Sequence, residues 1–131
     1  MAARVCYIAK LLSNFDSMEN IEKFLRAISD DKRLRILKML EKRHMCVCEI
    51  TVVLGIRQPT VSRHLKRLED VGLIRQEQNG FYTECYIAEE HSFHDVWKSV
   101  SGKLEESTDI KSDLRKMDRV DRSNICGNKV K

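Results

Sequence analysis

The sequence predicts a mainly α-helical fold completed by one β-hairpin. Three observations carry this. Apolar residues recur at helical spacing along most of the chain. One stretch past the middle switches to a period of two around Asn79-Gly80. Only one proline and five glycines interrupt the 131 residues. That length suits one domain with a modest core.

The elements follow in order. Met18, Ile21, Phe24, Leu25 and Ile28 fall at the spacing of a first helix. Asp30 and Asp31 offer an N-cap for "DKRLRILKMLEKR", whose apolar stripe is Leu34, Leu37 and Leu40. The short segment "CVCEITVVLG" comes next, and Gly55 suits a helix C-terminus. In "RQPTVSRHLKRLEDVGL", Pro59 suits a first helical turn. Val61, Leu65 and Leu68 face inward there, and Gly72 ends the segment. "LIRQEQNGFYTECYIA" reads as two strands around Asn79-Gly80, with Thr83, Cys85 and Ile87 on one face. From Ser92 the helical period returns through Phe93, Val96, Trp97, Val100, Leu104, Ile110, Leu114 and Met117. This reads as one long amphipathic helix. It exceeds what a small core needs, so terminal helices are expected to pair two copies as a homodimer. Two short helices joined by a glycine turn, then a hairpin, make a winged helix-turn-helix.

Residues 1–16 read as an N-terminal arm or helix, 17–118 as the DNA-binding and dimerisation domain, and 119–131 as a flexible tail. No apolar run approaches the ~20 residues of a membrane span. "VCYIAKLL" is broken by Lys10 and lacks a small-residue cleavage site, so no secretory signal and a cytoplasmic location are expected. The five cysteines are then expected to be mostly reduced thiols. No paired carboxylates, nucleophile–base set or phosphate loop is visible, so catalysis is not expected.

Charge locates a function. The chain carries a net charge of +4. From Arg57 to Arg67 the cations Arg57, Arg63, Lys66 and Arg67 occur with no acid among them. The same segment carries Gln58, Thr60, Ser62 and His64. Such a face neutralises phosphates and offers donors to base edges, arginine to guanine and glutamine to adenine. Arg75, Asn79 and Gly80 extend it onto the hairpin. The expected partner is double-stranded operator DNA.

"DDKRLRILKML", "MCVCEI", "VLGIRQPTVSRHLKRLEDVGLI" and "RQEQNGFYTECYI" together resemble the ArsR/SmtB family of metal-sensing repressors, over roughly residues 18–118. The resemblance implies a homodimeric winged-helix repressor. Such a repressor holds its operator without any cofactor and lets go when an inducer binds. For the branch with "CVCE", it implies trivalent arsenic or antimony, or a soft divalent metal such as cadmium or lead, as inducer. By position, Cys46 and Cys48 match the paired cysteines at the start of the first helix of the helix-turn-helix. Gln58, Thr60, Ser62, Arg63, His64, Lys66 and Arg67 match the recognition helix. Three departures from the pattern stand out. The usual third cysteine is Thr51, His44 and Met45 stand where small or acidic residues are usual, and a tyrosine late in the wing is Cys85.

In a regular helix residues i and i+2 point to nearly opposite sides, so Cys46 and Cys48 would diverge. The sequence suggests a way out. Cys46 occupies an N-cap position, with Glu49 at N3 of a capping-box-like pattern. Cys46 is then outside the helix and Cys48 in its first turn, near a helix end that favours thiolates. Soft thiolates select soft ions. Cys6 on the arm and Cys126 in the tail are candidate third ligands. A methylated trivalent arsenical needs only two thiols. Cys85 is expected in the core and His91 and His94 on the surface, while His44 is a candidate auxiliary ligand. A thiol-redox or reactive-sulfur sensor of the same fold is the alternative.

Overall fold

The computed structural model describes residues 18–121 and Ile125. Arm, distal tail, Cys6 and Cys126 lie outside the described residues. The elements run α1 (Met18–Ile28), α2 (Asp31–Lys42), β1 (Met45–Cys46), α3 (Val47–Leu54), α4 (Gln58–Asp70), β2 (Ile74–Asn79), β3 (Tyr82–Ile87), α5 (His94–Lys103) and α6 (Thr108–Met117).

Local signals set most boundaries. Asp30 caps α2, its side chain accepting from the Arg33 N–H at 3.1 Å; such a cap contributes about 1 kcal/mol. Gly55 ends α3 in the left-handed conformation, with φ of 67°, which a side chain would make costly. The core gathers Phe24 and Ile28 from α1, Ile36, Leu37, Met39 and Leu40 from α2, and Ile50 and Val53 from α3. Val61, Leu65 and Leu68 of α4 are fully buried in it, as their spacing predicts. Phe24 stacks on Phe93 with ring centroids 4.2 Å apart, fixing the approach to α5 on α1.

The small sheet has the order β1-β3-β2, all antiparallel. Met45 faces Cys85 and Cys46 faces Glu84. The strand β1 was not expected. It is two residues long, too short to show a period, and becomes a strand only because β3 offers it an edge.

Two expectations are corrected. The hairpin loop is Gly80-Phe81 rather than Asn79-Gly80, since Asn79 pairs with Tyr82. Among the described residues only glycines have positive φ, and Gly80 sits at 66°. One glycine at the first loop position is the pattern of a II′ turn; an Asn-Gly I′ turn would need positive φ at Asn79 too. The expected long C-terminal helix is in fact two helices, α5 and α6. Five residues, none of them apolar, separate Leu104 from Ile110, so no apolar stripe spans the gap. Ser107 caps the new helix, its hydroxyl accepting from the Ile110 N–H.

Candidate nucleic-acid interface and thiol pair

Helix α4 is held by its buried stripe and displays the other side. Gln58, Ser62, Arg63, Lys66 and Arg67 are exposed. Arg57 stands at the N-cap without a side-chain cap, Pro59 lies in the first turn, and that turn holds no acid. The leading N–H groups therefore favour an outside anion. Thr60 is half-buried and accepts from Arg63 Nη2 at 3.4 Å. Lys66 pairs with Asp70 at 3.0 Å on the open surface, a contact that water and salt weaken.

His64 departs from its neighbours. It is half-buried, with Nδ1 3.1 Å from Arg33 Nη1. A guanidinium only donates, so Nδ1 accepts and the outer ring nitrogen carries the proton. Burial pushes its pKa below the ordinary value; Asp30 opposes this, while Arg33, Arg63 and Arg67 add to it. The same Arg33 donates to the Arg26 and Ala27 carbonyls at the end of α1. His64 thus anchors α4 to α1 and α2 rather than simply extending the outer face.

On the wing, Arg75, Asn79 and Gly80 are exposed. The tip is braced: Gln78 Nε2 donates to the Gly80 carbonyl and Thr83 Oγ1 to Gln78 Oε1, both at 3.0 Å. Phe81 projects from it, 79% exposed. Glu69 of α4 accepts from the Gln76 backbone N–H at 3.2 Å, fastening wing to helix. Glu77 and Glu84 face one another across the strands, so the cationic character of the hairpin rests on Arg75.

Cys46 is the N-cap of α3, with φ −85° and ψ 162°, and Cys48 follows in the first turn. The capping box forms: the Cys46 N–H donates to Glu49 Oε1 at 2.9 Å. Cys46 is buried and Cys48 half-buried, neither in a disulfide among the described residues. Cys48 is the more accessible of the two sulfurs and Cys46 the more enclosed. Cys85 is buried, as expected, and its thiol is pushed up to about 12 by burial and then by Cys46. Directly paired residues of an antiparallel sheet share a face, so Cys85 goes with Met45 and Cys46 with Glu84. Cys85 is therefore no natural third partner for the pair. Among the described residues no group of three or more His, Cys, Asp or Glu is gathered to hold a metal ion. The described donor set is two thiols, which suits a soft ion with two exchangeable positions.

The histidines need one correction. His44 is exposed and stacks on Tyr86 at 4.8 Å, and His94 is exposed. His91 is half-buried, and both its ring nitrogens are occluded with no hydrogen-bond partner among the described residues. Burial, then His94, pushes its pKa down to about 4. It lies just before α5, its ring centroid 5.5 Å from that of His94.

Spacing gave no sign of Arg43. Its Nη1 donates to Glu49 Oε2 at 2.8 Å, and its Nη2 to the carbonyls of Met117 and Val120 at 3.4 and 3.3 Å. Backbone carbonyls at a helix end carry no side-chain signal. Only the acid at Glu49, already marked by the capping pattern, could have pointed to a cation nearby.

Comparisons with known proteins agree with this geometry. The sequence profile of the bacterial regulatory protein arsR family matches residues 30–76, from the cap of α2 into β2. An uncharacterised HTH-type transcriptional regulator of Methanocaldococcus jannaschii is 39% identical over 77 residues, covering 56% of this chain and 86% of that protein. An arsenical resistance operon repressor of Staphylococcus xylosus is 34% identical over 64 residues, 49% of this chain and 62% of that protein. Among solved structures, the homodimeric winged helix-turn-helix DNA-binding domain of a possible ArsR-family regulator from Mycobacterium bovis superposes with a TM-score of 0.60. It is 24% identical and covers 68% of this chain and 82% of that one.

Proposed function

The chain belongs to the arsR family of bacterial regulatory proteins, and from that premise we propose that it is a repressor that grips operator DNA as a homodimer and releases it when a trivalent arsenical bridges Cys46 and Cys48. One observation supports this above others. The two thiols stand at the start of α3, the helix that precedes and packs on α4. Helix α4 presents Gln58, Ser62, Arg63, Lys66 and Arg67 outward for phosphates and base edges. Arg75 and the braced wing tip, with Asn79 and Gly80, reach the neighbouring groove or backbone. His64 and Thr60 lie at the margin of this surface.

Bringing both sulfurs to one ion distorts the first turn of α3. The ligand then favours whichever state tolerates that distortion, and a differential affinity of this kind is all that release requires. Arsenite, antimonite and methylarsenite all have the softness to bind thiolates, and methylarsenite fits two thiols without a third. Cys6 and Cys126 supply a third thiol where the ligand demands one. Dimer formation is supported by α1, which turns Met18, Ile21 and Leu25 outward at positions i, i+3 and i+7, an apolar stripe of the kind helices bury against a partner.

The test is fluorescence anisotropy on a duplex that the protein itself selects from a random pool. Arsenite or methylarsenite is expected to release it. Cys46→Ser and Cys48→Ser are expected to hold the DNA and ignore the inducer. Failure of arsenite, antimonite and methylarsenite alike sinks the reading; release by cadmium or lead instead moves the inducer to a soft divalent ion. Reversal by thiol reductant alone, with no metalloid present, favours the redox alternative.

A further inference from the structure

Glu49 is 2% exposed, and its two oxygens have different duties. Oε1 accepts the Cys46 N–H, the bond that holds the thiol turn in place. Oε2 accepts from Arg43 Nη1. The other arm of that guanidinium reaches the carbonyls of Met117 and Val120, at the end of α6. A continuous run of hydrogen bonds therefore leads from the Cys46 backbone to the end of the last helix. An open surface pocket of about 380 Å³ lined by Arg43, Glu49, Met117, Asp118, Val120 and Asp121 lies beside it.

The energetics decide what happens when Cys46 moves. A buried carboxylate stripped of its cation is strongly penalised. The link from Arg43 to two neutral carbonyls, at 3.3–3.4 Å, is long and weak by comparison. When the cap shifts, Glu49 and Arg43 stay together and the contacts to α6 give way. We propose that the Glu49–Arg43 pair couples the thiol turn to the end of α6, so that ligand capture by Cys46 and Cys48 frees the carbonyls of Met117 and Val120. The proposal rests on the inducer reading above and adds two positioning residues to it. Neither touches the ligand or the DNA.

The experiment uses the full-length protein with phenylarsine oxide, a trivalent arsenical with two exchangeable positions. Three quantities are read together: protection of Cys46 and Cys48 from alkylation, DNA affinity with and without ligand, and amide exchange over residues 117–121. In wild type, both thiols are expected to be protected, DNA affinity to fall about 10- to 100-fold, a normal span for coupled sites, and exchange to rise. In Arg43→Gln, both thiols are still protected, and DNA affinity without ligand falls towards the ligand-bound wild-type value. There the ligand is expected to change DNA affinity less than about threefold, and the amides to exchange fast throughout. Glu49→Gln keeps an acceptor for the Cys46 N–H and loses the charge that holds Arg43. It should therefore uncouple without loss of helix content, and it carries the test if Arg43→Gln fails to fold. A wild-type response that persists undiminished in both variants overturns the coupling alone. Absence of thiol protection or of DNA release in wild type overturns the inducer reading, and the coupling with it.

Discussion

Cys48 and Cys85 are one residue type in opposite circumstances. Cys48 is half-buried at a helix start, whereas Cys85 is sealed inside the sheet with its thiol pushed up to about 12. Only a thiolate attacks an alkylating agent. With iodoacetamide at mildly alkaline pH, Cys48 is expected to label first among the three described thiols, and Cys85 only on unfolding; peptide mass spectrometry reads both. Labelling of Cys85 at the rate of Cys48 would mean that β3 peels away in the native state. His91 makes the corresponding point for protons. Its pKa lies at about 4, below the ordinary 6.5, so in that interval the unfolded chain binds the proton that the folded chain refuses. Stability is greatest above 6.5 and is lost as pH falls towards 4. His91→Phe should flatten the fall of the urea midpoint over that window. An unchanged slope would show that another group takes up the proton.

At the scale of elements, α4 separates two kinds of contact. Arg63 is exposed in its first half and donates only a long 3.4 Å bond to Thr60, so its fork is available to a base edge. Lys66 is a point charge already shared with Asp70. Arg63→Ala is expected to cost about 1–3 kcal/mol of DNA affinity and to relax base preference. Lys66→Ala should weaken all sequences alike and lower the salt slope by about one. Titrations at several salt concentrations on matched and mismatched duplexes distinguish them; if neither variant changes binding, another helix lies in the groove. The elements legible in the sequence were those written locally. Asp30, Pro59, Gly55 and the Val61, Leu65, Leu68 stripe each act within a turn or two of helix. The capping box at Cys46 and Glu49 belongs with them, as an i, i+3 pattern. What escaped depends on distant chain. Strand β1 exists by virtue of β3, and the turn at Gly80 depends on how far the strands zip. The break at Ser107 was visible as the gap from Leu104 to Ile110, but helical period on both sides hid it.

Over the whole molecule, two polar clusters dock the C-terminal helices onto α2. Arg35 grips Asp113 of α6 with two bonds, at 2.7 and 2.8 Å, and Asp113 is 1% exposed. Lys38, equally buried, meets Ser101 Oγ and Glu105 at 2.9 and 2.8 Å, while Glu41 accepts from Ser101 and from the Trp97 indole. Partners 78 residues apart share no pattern that a single sequence displays, so this half of the architecture was not legible. Asp113→Ala leaves the Arg35 guanidinium without its two-bond partner, with only the pull of Asp109 and Asp31, and should cost about 3–5 kcal/mol; chemical denaturation measures it, and a loss below about 1 kcal/mol would place the pair among ordinary surface bridges.

One residue belongs to two machines. Cys46 is both the last residue of β1, paired to the wing strand at Glu84, and the cap from which α3 begins. Wing and reading head therefore share a hinge pin. On the proposed induction, a shift of the Cys46 turn reaches both at once. A repressor switched through this shared residue would release helix and wing together. Its dose–response should be read as a count of molecules switched, not as a dial turned partway.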